Sequence, residues 1–122
     1  MKYLALFFCL FVLSCSSDDD ATDEGFICTE EFVFGLQITV NDASTGSGLA
    51  DVVITAREPG FSEILQATGT VGVYVGAGER EGSYTLTVER EGYQTVVTDV
   101  ITVTSDECHV IPQTRTFTLA PL

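Results

Sequence analysis

The sequence has no tryptophan, a single histidine (His109), one methionine and three prolines, and only five of its 122 residues are lysine or arginine. Each shortage removes a class of function. Without clustered Lys and Arg nothing neutralises a phosphate backbone, which excludes a nucleic-acid partner, and nothing adheres electrostatically to anionic lipid. One histidine confines any Ser-His-Asp or Cys-His centre to His109, and no motif marks an activated nucleophile beside it. The lack of Trp leaves few aromatic platforms for a sugar ring. Outside the amino terminus no window of helical length places apolar residues at helix spacing. The longest apolar run, Leu4 to Leu13, is ten residues, about half of the ~20 that a membrane-spanning helix requires. What the chain has in excess is acid: 18 Asp and Glu give a formal net charge of −13, which favours solubility and opposes non-specific association.

The amino terminus is the most specific segment. Lys2 supplies one positive charge, Leu4–Leu13 (LALFFCLFVL) has the length of a signal-peptide core, and Val12-Leu13-Ser14-Cys15 resembles the lipobox of bacterial lipoproteins. A thiol is required at that position because diacylglycerol is attached through a thioether before cleavage. The expected organisation is a signal peptide over 1–14, a lipidated Cys15 heading an acidic flexible tether over 15–27, and a folded domain over 28–122. Two or more acyl chains, at roughly 0.8 kcal/mol per buried CH₂, anchor stably where one chain binds marginally. Membrane attachment is therefore expected through Cys15 alone. Ser16 leaves the position after the anchor without an inner-membrane-retaining Asp. Ser16-Ser17-Asp18-Asp19-Asp20 resembles the acidic tag that exports some Gram-negative lipoproteins to the outer face of the outer membrane. The same acids do not make a calcium loop: counted from Asp18, the sixth position is Asp23 where Gly is needed, and no Glu closes the loop.

From Phe32 onward, short alternating segments are separated by Gly, Asp and Ser. Strands are predicted at 36–41, 52–56, 64–67, 71–75, 84–88, 94–103 and 110–119. Tyr84, Leu86 and Val88 share one face and Thr85 and Thr87 the other, the pattern of an antiparallel sheet with one buried and one wet face. Thr and Val are abundant and their χ1 stiffness suits strands. Seven short strands spaced about 8–12 residues apart predict an all-β, seven-stranded antiparallel β-sandwich.

Cys28 and Cys108 are the cysteines left in the folded part. In an exported chain two cysteines allow one connectivity, so a disulfide is expected between the domain's first residues and its last strand. The competing reading is a metal centre at Asp106-Glu107-Cys108-His109. Neighbours on an extended strand point to opposite faces, and one His with two thiols is a poor tetrahedral set, so no metal ligand is assigned. Gly76-Ala77-Gly78-Glu79-Arg80-Glu81-Gly82 has the wrong spacing for a dinucleotide loop and precedes a strand instead of a helix; it reads as a loop between strands.

Gly82-Ser83-Tyr84-Thr85-Leu86-Thr87-Val88, followed by Gly92-Tyr93, resembles the carboxypeptidase regulatory-like domain. Ile38-Thr39-Val40-Asn41-Asp42 and Leu49-Ala50-Asp51-Val52-Val53-Ile54 look like that family's first hairpin, and Cys108-His109-Val110 with Phe117-Thr118-Leu119-Ala120-Pro121 like its closing strand. The likeness covers roughly residues 34–121. It implies a transthyretin-like sandwich with no catalytic residues and no cofactor, of the kind that accompanies enzymes, receptors or adhesins. Gly76–Gly82 departs from the Thr-Asp and Gly that many members carry there. Gly92 suits a turn needing positive φ, and Tyr93 can pack its ring while its hydroxyl finds a partner.

The expectation is thus a non-catalytic, membrane-anchored binding or assembly module with a protein partner, displayed at the outer membrane. A structural envelope spacer and a glycan-binding accessory domain are the alternatives. Loops at 57–63 and 76–83 are the candidate contact sites, with Phe61, Tyr74, Glu79 and Arg80 as binding residues, and augmentation of an exposed edge strand is a further mode.

Overall fold

A computed structural model of the chain describes residues 28–122. The expected signal peptide over 1–14, the lipidated Cys15 and the acidic tether over 15–27 lie outside the described residues. Among those described there is no helix, and nine strands follow in order: β1 Phe34–Asp42, β2 Val53–Glu58, β3 Phe61–Ile64, β4 Gln66–Ala67, β5 Val73–Gly78, β6 Gly82–Glu89, β7 Val96–Val97, β8 Ile101–Val103 and β9 Gln113–Leu119.

Alternation builds these strands. In β1 the side chains of Leu36, Ile38 and Val40 are fully buried while Gln37 between them is exposed. Ile54 and Ala56 of β2, and Tyr84, Leu86 and Val88 of β6, do the same from the facing layer. Each large side chain removed from water in this way contributes about 1.5–3 kcal/mol. The strands form two sheets, β4-β5-β1-β9 and β3-β2-β6-β7, with β8 also paired to β6. The core residues of the two sheets form a single cluster between the layers, so the fold is all-β and sandwich-like.

The predicted strand 64–67 begins earlier, at Phe61, and is broken at Leu65; the predicted strand 94–103 is also broken. Residues 61–67 pair with β2 as far as Ile64, then Leu65 turns inward and Gln66–Ala67 pairs with β5 in the other sheet. This single stretch of chain therefore closes one side of the sandwich. Leu65 is 5% exposed and rests on Gly76, where a Cβ would come within 2.8 Å of its Cδ1. That contact explains why β5 runs through Gly76-Ala77-Gly78, which the sequence reading assigned to a loop: packing overrides the weak strand preference of glycine. On the opposite side, residues 94–103 give only β7 and β8. Between them Thr98 replaces a ladder partner with its side chain, its Oγ1 accepting from Leu86 N at 3.1 Å and donating to Asp99 O at 2.8 Å.

Pairing is antiparallel throughout except between β1 and β9, which run parallel with Ile38 opposite Arg115 and Asp42 opposite Leu119. The expected antiparallel sheet fails here for a topological reason. The chain leaves β8 at the end of the molecule where β1 begins, crosses between the sheets through 104–112, and enters β9 in the same direction as β1. The Cys28–Cys108 disulfide, with Cα atoms 5.2 Å apart, ties this crossing to the residues leading into β1.

Candidate interaction surface

The four residues singled out as binding candidates are in place, but most of their polar groups are engaged within the domain. Tyr74 is 3% exposed. Its hydroxyl donates to Leu49 O at 2.7 Å and accepts from Val52 N at 3.1 Å. It is a core residue pinning the 43–52 connection, which corrects its assignment as an exposed contact. Alternation explains the correction, since Tyr74 shares its face of β5 with Gly76, under Leu65.

Phe61 is partly buried against the core, and the Arg80 guanidinium lies over its ring, 3.5 Å from the centroid. Arg80 Nη1 also donates to Glu58 Oε2 at 2.7 Å and to the Tyr84 hydroxyl at 2.9 Å. The Tyr84 hydroxyl in turn lies 3.1 Å from Arg80 O and 3.2 Å from Glu81 O. A buried ring whose hydroxyl reaches back to the backbone a few residues upstream has the geometry of the corners that fix Greek-key sandwiches. Hydrogen bonding from Arg80 and from Ser83 N holds the Glu58 carboxyl below its usual range, and Arg80 is raised in return. The 57–63 and 76–83 loops accordingly shrink to the Pro59-Gly60 turn and to residues 79–81.

Glu79 reaches the other way. Its carboxylate accepts from Val33 N at 3.0 Å and Val110 N at 3.3 Å, and lies 2.6 Å from His109 Nδ1. Burial pushes the carboxyl up, but these partners outweigh it and leave it below its usual value. The hydrogen bond to Glu79 raises His109 against opposing burial; the far ring nitrogen, Nε2, is 3.2 Å from Thr29 O. Asp106 accepts from Cys108 N and His109 N, the main cause of its lowered pKa, and Glu81 takes the Ser105 hydroxyl. Glu79, Glu81 and Asp106 are thus bound to the domain's own backbone and side chains. No group of three His, Cys, Asp or Glu able to hold a metal occurs among the described residues.

The surface that is not internally satisfied lies on the open side of the sandwich. β9 borders its sheet with β1 as its only neighbour. Leu119 O accepts from Ala43 N at 2.9 Å, just past the end of β1. In a parallel ladder the N–H and C=O of one residue point the same way, so Gln113, Arg115, Phe117 and Leu119 address β1. The backbone groups of Thr114, Thr116 and Thr118 point away from it. Thr114 O accepts from Arg115 Nη1 at 3.0 Å; the outward groups of Thr116 and Thr118 have no protein partner among the described residues. Beside them a groove of about 340 Å³ runs between the sheets, lined by the apolar Val96, Val97, Val100, Ile101 and Phe117 and by the polar Thr98, Asp99 and Arg115. Val97 is 65% and Val100 60% exposed. Sequence reasoning named an exposed edge strand as a binding mode without locating it. The Val96-Val97 and Val100-Ile101 pairs around Thr98-Asp99 were the available signal, but the parallel placement of β9 was needed to identify the edge. Compared with known proteins, the chain matches no family model and no curated sequence.

Proposed function

We propose that the chain is a non-catalytic lipoprotein, lipid-anchored through Cys15 at the outer membrane and exposed on the cell surface, whose β-domain is a binding or assembly module for a protein partner. The observation that carries the partner reading is the open side: a seven-residue strand, β9, with outward backbone groups unpaired, next to a groove with two largely exposed valines. Protein edges of this kind are templates for pairing and are ordinarily covered or blunted. The anchor and address rest on the lipobox-like Val12–Cys15 and on Ser16–Asp20. A carboxypeptidase regulatory-like, transthyretin-like sandwich of seven strands is the family reading we favour. Supporting it, β7 and β8 both fall within the single predicted segment 94–103. Gly92 has φ of 87°, and the Tyr93 hydroxyl donates to Asp42 Oδ2 at 2.5 Å, the roles expected of that motif. Glycan capture loses support, because Tyr74 is buried and the Phe61 ring is covered by Arg80.

Labelling with radioactive palmitate should mark the chain and fail on Cys15→Ser, and protease applied to intact cells should remove the domain. A photo-crosslinker at Thr118 should join the domain to a defined envelope protein. Lipid-free, protease-protected protein would refute the anchored display, and the absence of any cross-link from either end or the open side would refute the partner.

A further inference from the structure

β9 has the chemistry to accept one kind of partner. Its outward Thr116 and Thr118 groups offer two N–H donors and two C=O acceptors at the spacing of an extended chain, and only another strand satisfies such a row in register. Pro112 and Pro121 flank the strand without interrupting it, and the outward row ends at Ala120, whose carbonyl already accepts from Gln94 N at 2.8 Å. The neighbouring edge cannot serve: β7 and β8 have two and three residues and are separated by the Thr98 break, a form of the blunting by which edges are protected.

A strand laid beside β9 would alternate its side chains between solvent and the groove. Those facing inward meet Val96, Val97, Val100, Ile101 and Phe117, which favours apolar residues there, while Asp99 and Arg115 supply the groove's charged groups. Charge selects the flanks. The chain carries −13, yet Val110 to Leu122 contains no acid and Arg115 is its single charged residue. The edge strand therefore carries one positive charge, Arg115, on an otherwise acidic molecule, with Asp99 across the groove from it. Acidic segments would be repelled from its surroundings, and basic ones drawn in. Two copies of this chain joining through β9 would bring like charges together, so a second copy is disfavoured.

We propose that β9 is completed by an extended segment of another protein, with apolar residues at alternate positions over the groove and basic residues flanking the paired stretch. This rests on the protein-partner reading and specifies its site and its ligand's chemistry.

The test uses residues 16–122 with the disulfide intact and a synthetic peptide of alternating threonine and valine with lysines at both ends. Amide hydrogen exchange should slow about tenfold or more at Thr116 and Thr118, with Leu36, Ile38 and Val40 unchanged. The same peptide flanked by glutamates should bind about tenfold more weakly, and a version methylated on alternate backbone nitrogens should not bind. Thr116→Pro should abolish binding while leaving the ladder to β1, because that N–H points outward. If Thr116→Pro does not fold, Val97→Ser with Val100→Ser, both at exposed positions, should weaken binding at least tenfold. Protection elsewhere, peptide binding indifferent to these changes, or self-association through β9 would overturn the proposal. Photo-crosslinkers at Thr118, Ser47 and Glu81 in intact envelopes separate the two levels. Cross-links from Ser47 or Glu81 alone would overturn the edge site and leave the partner reading standing; none from any position would overturn both.

Discussion

The two lateral sides of this sandwich solve the same problem differently. On one, residues 61–67 begin in one sheet and end in the other, so a single stretch covers both borders and buries Leu65 at the changeover. On the other, β9 and the broken β7/β8 belong to separate segments, and the space between them stays open to solvent with Val97 and Val100 exposed. In both places a strand is interrupted. Where the interrupting residue is apolar and meets a glycine, the interruption closes the fold. Where it is Thr98, whose hydroxyl is satisfied by Leu86 N and Asp99 O, it leaves a groove.

The comparison is most severely tested where the open side is attached to the rest of the domain. Cys28→Ser with Cys108→Ser frees the crossing that sets β9 beside β1. Closing a loop with sequence separation 80 is worth about 4.5 kcal/mol in the chain-entropy model, and urea unfolding should show a loss of that order. Leu65→Ala, on the closed side, should cost about 2–4 kcal/mol, since a buried leucine loses both its transfer energy and its packing on Gly76. A smaller effect sharpens the account of the crossing. The raised His109 contributes stability that is present below the ordinary imidazole value of 6.5 and lost as pH rises through its higher folded value. The lowered Glu79 contributes stability that is present above 4.5 and lost as pH falls through its lower folded value. His109→Gln should therefore reduce the thermal midpoint more at pH 5.5 than at pH 8.5. An equal reduction at both would remove the charged pair from the account. The smallest change belongs to the open side: Val97→Ala should alter stability by less than about 0.5 kcal/mol, because that side chain is mostly in water. A cost like that of Leu65 would mean the groove is part of the core.

Much of this was legible in the sequence, and the division is physical. The faces of β1 and β6 were readable because alternation records which side is wet, as with Tyr84, Leu86 and Val88 against Thr85 and Thr87. The disulfide followed from cysteine number, and the roles of Gly92 and Tyr93 from a turn motif. Tyr74 was misread because an aromatic near glycines looks exposed until Leu65, nine residues earlier, is placed over Gly76. Glu79 and Arg80 were found as polar loop residues, but their internal partners, His109 and Glu58, come from other segments. The parallel β1–β9 pair, and with it the free edge, depends on the path of the 104–112 crossing, which periodicity does not encode.

The central claim is that β9 has one paired and one unpaired border. Residue-resolved amide exchange of the free domain measures it directly. The account predicts period-two behaviour, with Arg115, Phe117 and Leu119 protected and Thr116 and Thr118 exchanging rapidly. Uniform protection along all of β9 would contradict it, because the border would then already be filled.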